Sequence, residues 1–171
     1  MTKLGLLWLA TSMLACSLGM AQFADVQAWR SLYRQALDAE GASAMSLALA
    51  NHLQGHPSDD IAQGFYATAM LMTAQHAWNP LEKLELFQSW KPRLERAIAQ
   101  SPKDSQADLL FLRLGVQAHV PALLDYRSEM ASDRRLVEQA IREGFWSDDP
   151  EHERFVSVFL TYLETNFATH D

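Results

Sequence analysis

The chain has 171 residues, of which 49% are hydrophobic and 20% are charged, and its formal net charge is −7. This composition is typical of one globular domain, because it supplies enough apolar side chains to form a core. The acidic balance excludes nucleic acid as a favoured partner, since phosphate binding needs a local excess of Lys and Arg. The arginines alternate with Asp and Glu instead, as on solvated helix faces.

Residues 1–21 have the pattern of a secretory signal peptide. Lys3 precedes an apolar run, and the small residues Gly19 and Ala21 lie where a signal peptidase would cut. We therefore expect cleavage after Ala21, a single domain over residues 22–171, and a periplasmic or secreted location.

Cys16 leaves a second interpretation of this segment open, a lipoprotein anchored to a membrane through Cys16. Met13 and Leu14 match a lipoprotein signal poorly, because they stand where Leu and a small residue are usual. An uncleaved anchor is a third interpretation, although the apolar run is shorter than the roughly 20 residues that span a bilayer. Membrane contact is expected only in these two cases, and cleavage after Ala21 would leave no cysteine and no disulfide.

Helical periodicity dominates the rest of the chain. Only 7 Gly and 6 Pro are present, and apolar residues recur at spacings of three and four. Three helices are predicted before the Asn79-Pro80 turn, over about 25–39, 43–53 and 60–76. Five more are predicted after it, over about 81–100, 105–119, 121–130, 134–143 and from Pro150 onward.

Two of these segments have distinctive features. Pro92 lies inside the 81–100 segment, and we expect a kinked but continuous helix because the apolar phase carries across it. The 105–119 segment is apolar almost all round, which predicts a central, buried helix. The loop at 101–104 should separate the two.

Short loops between helices predict antiparallel helical hairpins, arranged as a degenerate tetratricopeptide-like repeat or an irregular helical bundle. Ala97 and Pro102 have the spacing found at the end of a tetratricopeptide unit. The Ala97-Ile98 pair recurs at Ala140-Ile141, 43 residues later, whereas a strict repeat recurs after roughly 34 residues. We therefore expect an all-α fold of non-identical hairpins.

A set of motifs between Gly64 and about Val137 carries a resemblance. It consists of Tyr66-Ala67-Thr68-Ala69-Met70, His76-Ala77-Trp78-Asn79-Pro80, Lys83-Leu84 with Phe87, Leu94-Glu95-Arg96-Ala97-Ile98 with Pro102, Leu112-Arg113-Leu114 with Gln117, and then Pro121, Leu124, Tyr126 and Asp133. With these residues the chain resembles an uncharacterised family of exported bacterial proteins with a tetratricopeptide-like helical body. The resemblance implies a fold and export, and it implies no activity.

Arg113 is the first candidate functional residue. It lies one helical turn before Gln117 in the most apolar predicted helix, so both side chains should be removed from water. A buried guanidinium needs a partner, because its desolvation costs several kcal/mol. We expect that partner to be the carboxylate of Asp133 or Asp125, or the oxygen of Tyr126.

These polar residues have two interpretations. They either form an internal clasp between successive hairpins, or they line a pocket for an acidic ligand or a peptide carboxylate. The candidate cluster, structural or ligand-binding, comprises His76, Lys83, Arg113, Gln117, Tyr126 and Asp133.

No catalytic residue, metal site or cofactor is predicted. The sequence has no Gly-x-Ser-x-Gly motif and no glycine-rich phosphate loop. His52 and His56 have a metal-ligand spacing, but Gly55 and Pro57 should end the helix between them. Glu151-His152-Glu153 is interpreted as helix capping, and the tryptophans outside the signal segment as core or turn anchors: Trp29, Trp78, Trp90 and Trp146.

The functional expectation is an exported, non-catalytic module that binds an unknown protein or peptide on a tetratricopeptide-like scaffold. The alternative is a periplasmic small-ligand binder or hydrolase with a polar pocket around His76, Lys83, Arg113 and Tyr126. A closed pocket with convergent polar groups would favour the second, and an open surface with apolar and aromatic side chains would favour the first.

Overall fold

The computed structural model describes residues 25–36 and 38–167, and this part of the chain is all-α, without β-strands. The predicted fold class is confirmed. The signal-peptide prediction for residues 1–21 lies outside the described residues. Within the described residues there are seven helices rather than eight, namely α1 (25–35), α2 (Ala39–Gly55), α3 (Asp60–His76), α4 (Pro80–Gln100), α5 (Ala107–His119), α6 (Met130–Arg142) and α7 (Pro150–Phe167).

The first predicted helix boundary is wrong by several residues. α1 ends at residue 35, and α2 begins at Ala39 rather than near Ser43. The reason is a side-chain cap, in which the backbone N–H of Gly41 donates to Oδ1 of Asp38 at 2.8 Å. Gly41 therefore lies in the first turn of α2 and does not terminate α1.

The α3–α4 hairpin follows the sequence prediction. Asp59 caps α3 by accepting from the N–H of Ala62 at 3.0 Å, and Asn79 caps α4 by accepting from the N–H of Leu81 at 2.9 Å. α4 continues through Pro92. Pro92 is exposed, so the helix loses one hydrogen bond on its solvent side, where water can satisfy the carbonyl.

The segment after α5 departs most from the prediction. The expected 121–130 helix is only a short 3-10 turn, Ala122–Leu124, which ends where Asp125 adopts a left-handed φ of 45°. α6 begins at Met130 instead of Arg134. Asp133, which precedes the predicted helix, lies inside α6 and points its carboxylate at α5.

The ends of α6 and α7 match the sequence signals. Gly144 follows α6 with a φ of 73°, and the N–H of Phe145 donates to the carbonyl of Ala140, as in a glycine-terminated helix. α7 begins with Pro150 in its first turn, and Oδ1 of Asp149 accepts from the N–H of His152 at 3.0 Å.

α5 is the central helix, as predicted, and most of its side chains are buried. Its neighbour α3 approaches it closely at Gly64, where an added Cβ would lie 2.3 Å from Cδ2 of Leu109. Successive helices run antiparallel, since Tyr66 of α3 contacts Trp90 of α4 and Glu95 of α4 contacts Arg113 of α5. No helix in the described part of the chain is long and apolar enough to cross a membrane.

Candidate functional site

Arg113 joins three consecutive helices through its side chain. Its Nε donates to Oδ2 of Asp133 at 2.7 Å and its Nη2 donates to Oδ1 of the same residue at 2.6 Å. Its Nη1 donates to Oε2 of Glu95 at 2.6 Å, and the hydroxyl of Tyr126 donates to the other oxygen of Glu95. The cluster therefore connects α4, α5, α6 and the segment between α5 and α6.

Electrostatics within this Arg113 cluster favour a closed clasp. Burial raises the pKa of Asp133, although the nearby guanidinium of Arg113 acts in the opposite direction. Burial would lower the pKa of Arg113, but Asp133 and Glu95 outweigh burial and raise it. All three guanidinium nitrogens donate to protein carboxylates, so the cluster has the geometry of an internal ion pair network.

The other predicted members of the cluster lie elsewhere. His76 and Lys83 are exposed on either side of the α3–α4 turn, and Nζ of Lys83 donates to the carbonyl oxygen of Gln75 at 2.9 Å. Gln117 is fully buried, and neither atom of its side-chain amide has a hydrogen-bond partner among the described residues. The prediction of one polar pocket that joins His76 and Lys83 to Arg113 is therefore corrected.

A second buried charge cluster joins α1, α5 and the start of α7. Arg30 donates to Asp108 through Nε at 3.0 Å and through Nη2 at 2.9 Å. Nε1 of Trp146 donates to the same carboxylate at 2.8 Å, and Nε2 of His152 lies 3.7 Å from it. This Arg30 cluster is more deeply buried than the Arg113 cluster, because the side chains of Arg30 and Asp108 are 5% and 3% exposed.

The Arg30 cluster leaves polar atoms unsatisfied. Nη1 of Arg30 and both ring nitrogens of His152 lack a hydrogen-bond partner within the described residues, although Nη1 of Arg30 lies 3.5 Å from Oδ1 of Asp148. Burial lowers the pKa of His152 to about 4, so its imidazole is neutral at pH 7. His152 lies in the first turn of α7, as predicted, and Asp149 caps its backbone N–H, but its imidazole is turned into the core, which the capping interpretation did not anticipate.

The sequence analysis did not predict the Arg30 cluster, although the sequence contains a pattern that indicates a buried ion pair. Asp108 opens a helix that is apolar almost all round, and Arg30 directly follows the buried Trp29 in α1. Opposite charges at such positions indicate a buried pair. The two lie 78 residues apart, and a single sequence does not show that their helices meet.

Three exposed apolar side chains lie toward one end of the bundle, and the other exposed ones lie on the faces of α2, α6 and α7. Trp78 is 98% exposed, Leu81 68% and Leu123 93%. The antiparallel run of α4 and α5 brings the start of α4 and the end of α5 to the same end, which we call the apolar end and define by these three residues. Trp78 lies at a turn, one of the two kinds of position predicted for the tryptophans, but it is exposed and anchors nothing, whereas Trp29 and Trp146 are buried.

A surface cavity of about 510 Å³ lies at the opposite end, between the α2–α3 turn and the α4–α5 connection. His56 and Asp59 line it, together with small polar side chains. Nε2 of His52 is held at 3.1 Å from Oδ2 of Asp59, and His56 follows the last residue of α2. Over residues 25–36 and 38–167, no three His, Cys, Asp or Glu side chains are grouped to hold a metal ion.

Comparison with known proteins gives no relative. No family model matches the sequence, and neither a curated protein nor a solved structure does. The resemblance of residues 64–137 to exported helical proteins therefore stays a prediction. Contacts and exposures of the described residues are the basis on which a function can be proposed.

Proposed function

We propose that this chain is an exported, non-catalytic interaction module that binds a protein or peptide through its apolar end. The exposure of Trp78, Leu81 and Leu123 at one end of the bundle is the observation that carries the proposal. Single exposed apolar residues are common, but several at one place are typical of interaction sites. Tryptophan is also among the residues that contribute most to binding energy in protein interfaces.

Trp78 lies in the α3–α4 turn, where a helix cap, a proline and a side-chain hydrogen bond restrain the backbone around it. Asn79 caps α4, Pro80 occupies its first position, and Lys83 reaches back to the carbonyl oxygen of Gln75. Proline and the cap restrict the backbone on the C-terminal side of the tryptophan. Binding then costs less conformational entropy, because this part of the turn is ordered before a partner arrives.

Consecutive helices of the bundle run antiparallel, and this arrangement supports a tetratricopeptide-like scaffold. In such scaffolds each hairpin contacts its neighbours and the turns and helix faces remain available to partners. Export is supported by the order of basic, apolar and small residues over 1–21. An exported protein with an accessible aromatic turn is suited to binding other proteins outside the cytoplasm.

Partner capture with matched variants tests the binding proposal. The purified chain, its Trp78→Ala/Leu81→Ala variant and a Val158→Ala variant are each used as bait on a periplasmic fraction. Val158 is 65% exposed on α7 and serves as the control for losing an exposed apolar group. Proteins retained by the unaltered chain and by Val158→Ala should be lost from the double variant. The three baits should have equal melting temperatures, so that the loss is not due to unfolding. Equal retention by all three baits would contradict binding through the apolar end.

The N-terminus of the protein recovered from its native host tests export separately. We expect a chain that begins at Gln22. Intact Met1 on cytoplasmic protein would contradict export, and a lipid on Cys16 would identify the lipoprotein alternative.

A further inference from the structure

Exposed carboxylates flank the apolar end on both sides. On the α4 side, Glu82 directly follows Leu81, and Glu85 lies one helical turn after Leu81 on the same side of the helix. On the side of the α5–α6 connection, Asp125 follows Leu123 by two residues. All three acidic side chains are exposed. A partner that covers the apolar side chains is therefore brought next to negative charge.

These three flanking carboxylates are not neutralised by the described part of the chain. Every ion pair between described residues uses other acidic side chains. Surface carboxylates without an internal partner keep their charge available for a cation on another molecule. The Arg113 cluster is the opposite case, because its carboxylates are already paired within the chain.

The cations nearest to the apolar end are directed at the chain's own backbone. Nζ of Lys83 donates to the carbonyl oxygen of Gln75 at 2.9 Å. Nε of Arg127 donates to the carbonyl oxygen of Gln117 at 3.2 Å, and its Nη2 donates to that of Val120 at 3.0 Å. Both side chains brace the two connections that display the apolar residues. The charged groups that a partner meets at this end are therefore mainly carboxylates.

The charge of the whole chain acts in the same direction. Its formal net charge of −7 attracts cationic molecules at long range and repels anionic ones. Local and overall charge therefore both select a basic partner. Exposed apolar side chains by themselves would not discriminate in this way, because apolar contact is independent of charge.

We propose that the partner of the apolar end is a basic amphipathic segment, whose apolar side chains cover the three exposed apolar residues and whose Lys or Arg side chains pair with the three flanking carboxylates. This inference rests on the proposed function and names the kind of partner that the same site takes. Amphipathic helices that place an apolar face on a protein surface are a recurring form of peptide recognition. An acidic segment of equal apolar content is rejected, because like charges would meet at the rim of the contact.

The two kinds of contact have different roles. Apolar burial at the centre of a contact supplies most of its affinity, whereas exposed ion pairs at the rim add little each. Rim charges instead determine which partner binds, how fast it associates and how strongly salt weakens the complex. Loss of the carboxylates should therefore reduce discrimination between partners more than it reduces binding itself.

Two synthetic amphipathic helices test the inference on the unaltered full chain. Both carry Leu and Trp on one face, and the polar face is Lys in one peptide and Glu in the other. Titration calorimetry at low ionic strength should show binding of the lysine peptide and at least about tenfold weaker binding of the glutamate peptide. Salt at about 1 M should remove most of this difference, because it screens exposed charges.

A charge-neutral variant and a matched control locate the effect. Glu82→Gln/Glu85→Gln should weaken the lysine peptide about fivefold and bring the two peptides closer in affinity. Asp60→Asn/Asp104→Asn removes the same charge from the opposite end, where the cavity lies, and should change the affinity of the lysine peptide very little. Equal weakening by the two variants would overturn the inference, because only the overall charge would then act.

The same titrations separate this inference from the proposed function. If both peptides bind equally well and both are lost in Trp78→Ala/Leu81→Ala, the apolar end binds but the basic partner is wrong. If Trp78→Ala/Leu81→Ala binds the lysine peptide as well as the unaltered chain does, binding through the apolar end itself is contradicted. The inference requires that the lysine peptide is preferred, and that this preference is reduced by Glu82→Gln/Glu85→Gln.

Discussion

Tyr33 and Gly115 are in such close contact that a side chain at this position of α5 would have to displace the hydroxyl of Tyr33. A Cβ on Gly115 would lie 2.7 Å from the hydroxyl oxygen of Tyr33. Alanine favours a helix by about 1 kcal/mol over glycine, but overpacking costs about 1–3 kcal/mol. We expect Gly115→Ala to lower the free energy of unfolding by about 1 kcal/mol in a denaturant titration.

The Tyr33→Phe background is the control for this effect. Removing the hydroxyl takes away the atom that the new methyl group would meet. Gly115→Ala should then be neutral or stabilising, because only the helix preference remains. The same loss in both backgrounds would mean that Tyr33 is not the cause.

Replacement of Arg113 by alanine should be severely destabilising. Asp133 is 1% exposed and would be left buried without its partner, which costs about 3–5 kcal/mol. Lys83→Ala removes an exposed cation and should change stability little. Thermal unfolding at pH 7 measures the stability of both variants.

A double variant separates the charge effect from packing. Arg113→Met/Asp133→Leu replaces the pair by apolar groups and should recover most of the loss, because the one charge left without its partner, that of Glu95, is partly exposed to water. A double variant as unstable as Arg113→Ala would show that the other contacts of Arg113, with Glu95, dominate.

Ala97 should tolerate no larger side chain. It is 2% exposed and lies 3.4 Å from the position of a Cβ on Gly64, where α3 and α4 cross. Ala97→Leu should cost about 1–3 kcal/mol through overpacking. Lys103→Ala, in the exposed connection after α4, should change the denaturation midpoint very little. Equal tolerance at the two positions would contradict the close crossing.

Local signals predicted much of the fold. Caps at Asp59, Asn79 and Asp149 and the glycine after α6 are short-range interactions, so the residues themselves identify them. Errors occurred where a tertiary contact competed with a local preference. Asp133 could have capped a helix, but it pairs with Arg113 and lies inside α6.

The candidate site was predictable only in part. The Arg113–Asp133 pair follows from one rule, that a guanidinium on an apolar helix needs a carboxylate. The Arg30 cluster depends on the packing of α1 against α5 and α7, and no local pattern specifies that long-range arrangement. The local Asn79-Pro80 signal placed Trp78 at a turn, but its exposure was missed, since whether another element covers an apolar turn residue depends on tertiary structure.

His152 should make the fold sensitive to mild acid. Burial lowers its pKa to about 4 from the ordinary 6.5. Between pH 6.5 and pH 4 the unfolded chain therefore binds a proton at this residue that the folded chain does not. The free energy of unfolding should fall across that window as the pH decreases, by up to about 3 kcal/mol.

His152→Phe is the comparison for the acid effect, because Phe111, Phe155 and Trp146 surround the imidazole. Its stability should depend less on pH between 6.5 and 4 than that of the unaltered chain. NMR titration of the imidazole gives the pKa directly. A folded-state value near 6.5 would show that His152 is hydrated.

Hydrogen exchange of the unaltered full chain tests most directly whether the Arg30 cluster holds α1 as part of the core. The backbone amides of residues 29–35 should exchange with a free energy close to that of residues 111–118 in α5. Arg30→Ala should lower protection in both helices, because Asp108 of α5 loses its partner. Exchange of residues 29–35 at a much lower free energy than residues 111–118 in the unaltered chain would contradict this account.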